Sequence, residues 1–200
     1  MTIVCLDMEG VIMPEFWPAF GKVTGIEEFN LTTSDEPDYD KLMKMRIKLM
    51  REHNLGIKEI QETLRKIEPV EGAREFLDEL RKITQVIILS DTFEQFGMVI
   101  MEKLNWPMLI CNTLEISEDG FITDYKMRSD NTKYDTVKAL QSIGYNTVVS
   151  GDSYNDIGMI KASKAGFLFR STDKIKAEYP EIPTCETFEE LFEAIKKELD

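Results

Sequence analysis

Five short apolar runs punctuate the chain, at 2–6, 86–89, 108–111, 147–149 and 166–169. They lack polar alternation, which is the pattern of strands covered on both faces in a parallel sheet. Between them lie stretches of helical period: 72–83 places Phe76, Leu77 and Leu80 on one face, and 133–143 does the same with Val137 and Leu140. Residues 93–104 and 187–199 complete the helical set. Strands alternating with helices require right-handed crossovers, so the pattern predicts an α/β fold with a doubly wound, mostly parallel sheet. Segments 114–117 and 121–127 flank Glu118-Asp119-Gly120 and predict a β-hairpin.

Residues 14–70 interrupt this alternation. They show no convincing strand, and 39–53 and 57–67 read as amphipathic helices. The chain therefore divides into a core of 1–13 and 71–200 and an inserted helical segment of 14–70. Open α/β sheets bind ligands at the carboxyl ends of their strands, so an insertion placed directly after the first strand would cover a site at Asp7. Phe16, Trp17 and Phe20 form an apolar helical stripe and read as packing inside the insertion, as do Met13, Met43, Met45 and Met50. His53 reads as a charge near a helix C-terminus.

Composition removes several classes of function. The 200 residues carry 24 Lys and Arg against 37 Asp and Glu, 24 − 37 = −13, which leaves no concentrated cationic face for nucleic acid or anionic membrane. The insertion holds 9 basic and 11 acidic residues, so most of the excess negative charge lies in the core. Three widely spaced cysteines without a CxxC pair, beside one histidine, support neither a disulfide framework nor a zinc site. No apolar run approaches a membrane span and MTIVCLDMEG lacks a basic leader, so a cytoplasmic location is expected. Small molecules are the expected partners, and a homodimer stays open.

Asp7, Glu9, Asp91, Asp152 and Asp156 all fall at or just past predicted strand ends. Alone, each would be a turn or capping residue. Together they would repel one another unless a divalent cation relieved them, and hard oxygen ligands without Cys or His point to Mg2+. Asp7-Met8-Glu9 puts two carboxylates two residues apart, one to attack phosphorus and one to handle the leaving-group proton. Ser90-Asp91-Thr92 follows a second strand, and Gly151-Asp152-Ser153-Tyr154-Asn155-Asp156 follows another. Lys133 supplies a cation. Lys126 and Lys138 compete for that role, but Asp130-Asn131-Thr132 makes a turn and cap that would fix Lys133 at a helix start.

In this order the residues resemble the four motifs of the haloacid dehalogenase superfamily of phosphotransferases over essentially the whole chain. The six-residue Gly151–Asp156 motif is the most specific piece. The resemblance implies a Rossmann-like core with 14–70 as a helical cap. It implies that Asp7 is a nucleophile forming an aspartyl-phosphate, that Glu9 is the general acid and base, and that Ser90 and Lys133 stabilise phosphoryl charge. It implies Mg2+ held by the Asp7 carboxylate, the Glu9 carbonyl and Asp152, with Asp156 a direct or outer partner. The superfamily usually has Asp where this chain has Glu9, one methylene longer.

An insertion of this size resembles the phosphoserine phosphatase branch. Residues 7–15, Pro37-Asp38-Tyr39-Asp40-Lys41-Leu42-Met43-Lys44, 87–93 and 151–156 come nearest to the bifunctional phosphoserine phosphatase/homoserine phosphotransferases. That resemblance implies that Glu15 holds the substrate ammonium and Arg46 its carboxylate, with Asp91, Thr92 and Asn155 completing the substrate set. Taken alone, Arg46 is a solvated residue on an amphipathic helix and Glu15 a helix-start charge. The function expected is Mg2+-dependent removal of the phosphoryl group of phosphoserine and its transfer to water or homoserine. A phosphatase for another small phosphomonoester and a phosphorylated-Asp switch without turnover are the alternatives, and metal-dependent phosphate release separates the last from the others.

Overall fold

Thr2–Leu6 (β1) is buried along its whole length because it lies at the centre of a seven-stranded sheet, in a computed structural model that describes residues 1–33, 35, 36 and 38–199. Pro37 of the quoted motif and Asp200 of the predicted core lie outside the described residues. The other strands are Gln85–Phe93 (β2), Met108–Ile116 (β3), Ile122–Lys126 (β4), Asn146–Gly151 (β5), Ala165–Phe169 (β6) and Thr184–Cys185 (β7), in the order β4-β3-β2-β1-β5-β6-β7. Every pairing is parallel except β3 with β4. Alternate β1 residues face opposite ways: Val4 and Leu6 join one apolar cluster, Ile3 and Cys5 the other. Both faces are thus covered, as the unalternating apolar runs require.

The helices are Phe16–Thr24 (α1), Tyr39–Glu52 (α2), Ile57–Leu64 (α3), Ala73–Arg81 (α4), Glu94–Gly97 (α5), Thr132–Ser142 (α6), Ile157–Ala162 (α7), Asp173–Glu178 (α8) and Phe188–Lys196 (α9). The helix expected over 93–104 is broken. Phe93 ends β2, α5 is one turn long, and a 3-10 turn follows at Met101–Leu104. Gly97 packs so closely on β3 that a Cβ there would lie 2.3 Å from Leu109 Cδ2. Asn105 and Trp106 then take positive φ of 60° and 54°, which turns the chain into β3. The runs expected at 108–111 and 114–117 are one strand, whose first half pairs with β2 and second half with β4. The short elements α7, α8 and β7 carried no periodic signal long enough to read.

Helices α1 to α3 fill the stretch between β1 and α4 and add no strand to the sheet. The two ends of this stretch meet where the Val70 amide donates to the Ile12 carbonyl at 2.9 Å. Phe16, Phe20, Phe29, Met43 and Leu64 are buried in the same cluster as Val4 and Leu6. The hairpin ties in from the other side: Ile57 N–H donates to the Gly120 carbonyl at 2.9 Å, and Tyr125 OH donates to Asp40 at 3.0 Å. Asp38 caps α2 by accepting from the Lys41 amide. All three cysteines are free and buried, and no described helix is long and apolar enough to cross a membrane.

Candidate active site

The strand order decides where chemistry can collect. β1 lies between β2 and β5, so Asp7 and Asp152, which follow β1 and β5, converge with Ser90 to Thr92 at the carboxyl ends of the strands. Those last three do not follow the second strand, as the sequence suggested, but lie in the last part of β2. The register of β2 against β3 shifts between Leu89 and Phe93, which frees Ser90, Asp91 and Thr92 from the ladder. Asn112 then fixes their backbone. This buried amide donates to the Asp91 carbonyl at 3.2 Å and accepts from Arg128 N–H and the Thr132 hydroxyl, each at 3.1 Å. It thereby links β2 to the start of α6, where Asn131 caps the helix by accepting from the Tyr134 amide.

Lys133, one residue into α6, is only 1% exposed. Its Nζ lies 2.7 Å from Asp156 Oδ1, 2.9 Å from Asp7 Oδ1 and 3.9 Å from Asp91 Oδ2. Lys126 instead pairs with Glu115 and Lys138 bonds Gln141, both at the surface. Asp156 spends its second oxygen on the amides of Asp152 and Ser153, at 3.0 and 3.1 Å. That turn needs Gly151, since a Cβ there would fall 2.2 Å from Asp156 Cγ. Gly10 is constrained in the same way, with φ of 81° and an Asp152 oxygen 2.5 Å from where a Cβ would stand.

Carboxylate oxygens of Asp7, Asp152 and Asp156 gather within 4.8 Å of one another. Burial and the neighbouring Asp156 raise Asp7 well above the usual carboxylate range despite Lys133, and the same two causes push Asp152 up to about 7. Burial alone would lower Lys133, but Asp156, Asp7 and Asp91 outweigh it and hold the ammonium well above its ordinary value. Fully ionised, these three carboxylates against one ammonium leave an excess of two negative charges. A divalent cation with a preference for hard oxygen fits this donor set.

The other end of the site is built by α1 and α2. Glu9 Oε2 accepts from the Phe16 amide at 2.9 Å, capping α1 with the extra length that glutamate has over aspartate. Burial and the neighbouring Glu15 push Glu9 up to about 8, against the opposing pull of that amide, and burial raises Glu15 as well. Arg46 is 5% exposed, and burial lowers it to about 10. Its guanidinium lies over the Trp17 ring at 4.6 Å, Nη2 donates to the Leu31 carbonyl at 2.8 Å, and Nη1 reaches Met43 Sδ at 3.7 Å. Its Nε is buried without a hydrogen-bond partner, and among the described residues no ion pair joins Arg46 to Glu9 or Glu15.

A cavity of about 120 Å³ connects the two ends. Of the residues singled out in the sequence, Asp7, Glu9, Glu15, Arg46, Ser90, Asp91, Thr92, Lys133 and Asn155 line it, while Asp152 and Asp156 are outside its lining and reach Asp7 through the carboxylate cluster. Asn155 donates to Asp91 Oδ2 at 2.7 Å. Trp17, read above as packing alone, lines the cavity too, because its ring is shared between the aromatic cluster and Arg46. Sequence reasoning passed over Tyr39, whose OH donates to the Asp91 carbonyl at 3.3 Å and whose burial raises its phenol. Its position directly after the capping Asp38 was the available signal.

The model of the haloacid dehalogenase-like hydrolase family matches residues 1–164. A phosphoserine phosphatase of Pseudomonas aeruginosa, ThrH, is 44% identical over 191 residues, 96% of this chain and 93% of its own. A phosphoserine phosphatase of Methanocaldococcus jannaschii is 31% identical over 64% of this chain and 63% of its own. Among solved structures, a phosphoserine phosphatase in apo form superposes with a TM-score of 0.78 at 24% identity, covering 97% of each chain. A phospho-aspartyl intermediate analogue of phosphoserine phosphatase superposes at 0.72 and 22% identity, covering 92% of this chain and 91% of that one. These two establish likeness of fold, and the family match, spanning both ends of the site, carries the assignment: the chain belongs to the haloacid dehalogenase-like hydrolases.

Proposed function

We propose that the chain is a phosphoserine phosphatase that works through an aspartyl-phosphate on Asp7, with residues 14–70 acting as a cap over the cavity. The observation that carries this reading is the buried guanidinium of Arg46, which lines the same cavity as the Asp7–Lys133 pair and has no carboxylate partner among the described residues. A buried cation is expensive to leave unpaired, so a ligand that brings a carboxylate repays its cost on binding. Glu15, which lines the same cavity, supplies the anion for an ammonium. Phosphoserine presents both groups at one end and a phosphoryl group at the other. The 44% identity to the P. aeruginosa phosphatase supports the same substrate.

In this reading the Met8 N–H hydrogen bond at 2.7 Å and the Lys133 ion pair at 2.9 Å both fall on Asp7 Oδ1, so Oδ2 is the oxygen that attacks phosphorus. The bond from phosphorus to the serine oxygen breaks, and Glu9, protonated near neutral pH, gives its proton to the leaving alkoxide. Glu9 then takes a proton from water, which attacks phosphorus and releases Asp7. Lys133 and Ser90 stabilise the phosphoryl oxygens throughout. Asp7, the Glu9 carbonyl and Asp152 would hold Mg2+, with Asp156 committed to Lys133 and to backbone amides. When bound, Mg2+ neutralises the clustered carboxylates and the phosphoryl charge.

Homoserine offers the same ammonium and carboxylate as serine on a chain one methylene longer. Glu15 and Arg46 suit it equally, which supports transfer to its hydroxyl in place of water. A phosphate-release screen over small phosphomonoesters with Mg2+ tests the reading, and phosphoserine is expected to lead aryl and sugar phosphates in kcat/KM. An enzyme that prefers esters without an amino-acid group overturns it. Added homoserine is expected to yield phosphohomoserine, counted by mass spectrometry, at the expense of free phosphate. Undiminished phosphate release without phosphohomoserine makes water the sole acceptor.

A further inference from the structure

We infer that Trp17 is a positioning residue for substrate selection: its indole face parks the Arg46 guanidinium in the cavity without consuming the hydrogen-bonding fork that receives a carboxylate. This rests on the reading of Arg46 given above. The guanidinium carbon lies 4.6 Å from the indole centroid, within the range of cation–π attraction. Stacking of this kind acts through the flat face, so the in-plane N–H donors stay free. One donor is spent on the Leu31 carbonyl and another on the weak acceptor Met43 Sδ, while Nε has nothing.

The neighbourhood explains why such a device is needed. Glu9 and Glu15 share the cavity with Arg46 and are close enough for their charges to act on it. A freely rotating arginine would pair with one of them, and the fork would be occupied before substrate arrived. Trp17 can hold it because the indole is itself immobilised. Phe29 stacks on it at 5.7 Å, Phe96 meets it edge-on at 5.7 Å and Phe20 at 6.4 Å. An apolar residue of similar bulk would fill the space but would offer the cation no quadrupole.

The test compares kcat/KM for phosphoserine with that for p-nitrophenyl phosphate, which has no carboxylate, in the full chain with Mg2+. Trp17→Leu is expected to lower the ratio of the two about tenfold, almost wholly through a higher KM for phosphoserine. Trp17→Phe, which restores an aromatic face, is expected to recover most of it, and Arg46→Ala combined with Trp17→Leu to lose no more than Arg46→Ala alone. Proportional losses on both substrates, or an unchanged ratio, overturn the role of Trp17. Should Trp17→Leu not fold, Trp17→Tyr serves, with about a threefold fall in the ratio expected because a phenol ring attracts the cation less strongly than indole, and an unchanged ratio again overturning it. If Arg46→Ala itself leaves the ratio unchanged, the reading of Arg46 fails and the role of Trp17 with it. A fall with Arg46→Ala but none with Trp17→Leu overturns the role of Trp17 alone.

Discussion

Lys133 and Arg46 are two cations in one cavity, 1% and 5% exposed, and their surroundings treat them in opposite ways. Lys133 has three carboxylates within 4 Å, and its pKa stands well above the ordinary value. Among the described residues Arg46 has none, and burial brings it down to about 10. The ammonium of the first is paired before any substrate enters. The second is complete only when a ligand supplies the missing anion. A phosphatase specific for an amino-acid ester benefits from both, because the phosphoryl end must be preorganised for the transition state while the recognition end must discriminate.

Breaking the satisfied end gives the largest effects. Asp7→Asn removes the attacking charge but keeps shape and the amide contact, so turnover of phosphoserine should fall by about three orders of magnitude or more with circular dichroism unchanged. Near-parent turnover by the folded variant would falsify Asp7 as nucleophile. Lys133→Met strands Asp7 and Asp156 without their cation, and denaturant unfolding should register a loss of about 3–5 kcal/mol together with loss of activity. Arg46→Met sharpens the contrast. Discrimination for phosphoserine over an aryl phosphate should drop by about 2–4 kcal/mol in transition-state binding. Stability, in contrast, should stay within about 1 kcal/mol of the parent, since an unpaired guanidinium is exchanged for a packed apolar chain. A large stability loss there would erase the distinction between the two cations.

The smallest effect is in pH dependence. Glu9, ordinarily at 4.5, stands at about 8, and Asp152, ordinarily at 3.8, at about 7. The folded chain therefore holds these protons more tightly than the unfolded one. Their contribution to stability is full below about pH 4 and is lost as pH rises through about 7 to 8. Metal-free protein should melt lower at pH 8 than at pH 5, and added Mg2+ should raise Tm more at pH 8. Equal Mg2+ shifts at both values would show that the carboxylate cluster is not what the ion relieves.

The sequence made some of this legible because the signals were local. Apolar runs marked β1 and β5, and Asn131 marked the start of α6 and hence Lys133 over Lys126 and Lys138. Whatever depended on a distant neighbour was hidden. The break after Phe93 follows from Gly97 meeting Leu109, and the continuity of β3 from its change of partner. Trp17 sat on an apolar stripe, so only the approach of Arg46 from another helix separates it from ordinary packing. Asn112 had no motif at all, and its three contacts come from residues 16 or more positions away.

The placement of β1 at the centre of the sheet also governs when the site comes into being. Ile3 lies opposite Gln85, and Thr2 opposite Asn146, 146 − 2 = 144 residues further along. On the ribosome, the strand that leads into Asp7 emerges before its partners β2 and β5 and waits, with both of its edges unpaired, until they have followed. Contacts this far apart in sequence close slowly and leave strand edges open to misassociation in the interval. The helices of 14–70, made next and rich in contacts within their own stretch such as Trp17 with Phe29 and α1 with α3, can form before the sheet does. The helices that carry Arg46 can thus form early, and the cluster around Lys133 can assemble only after β5 has paired with β1.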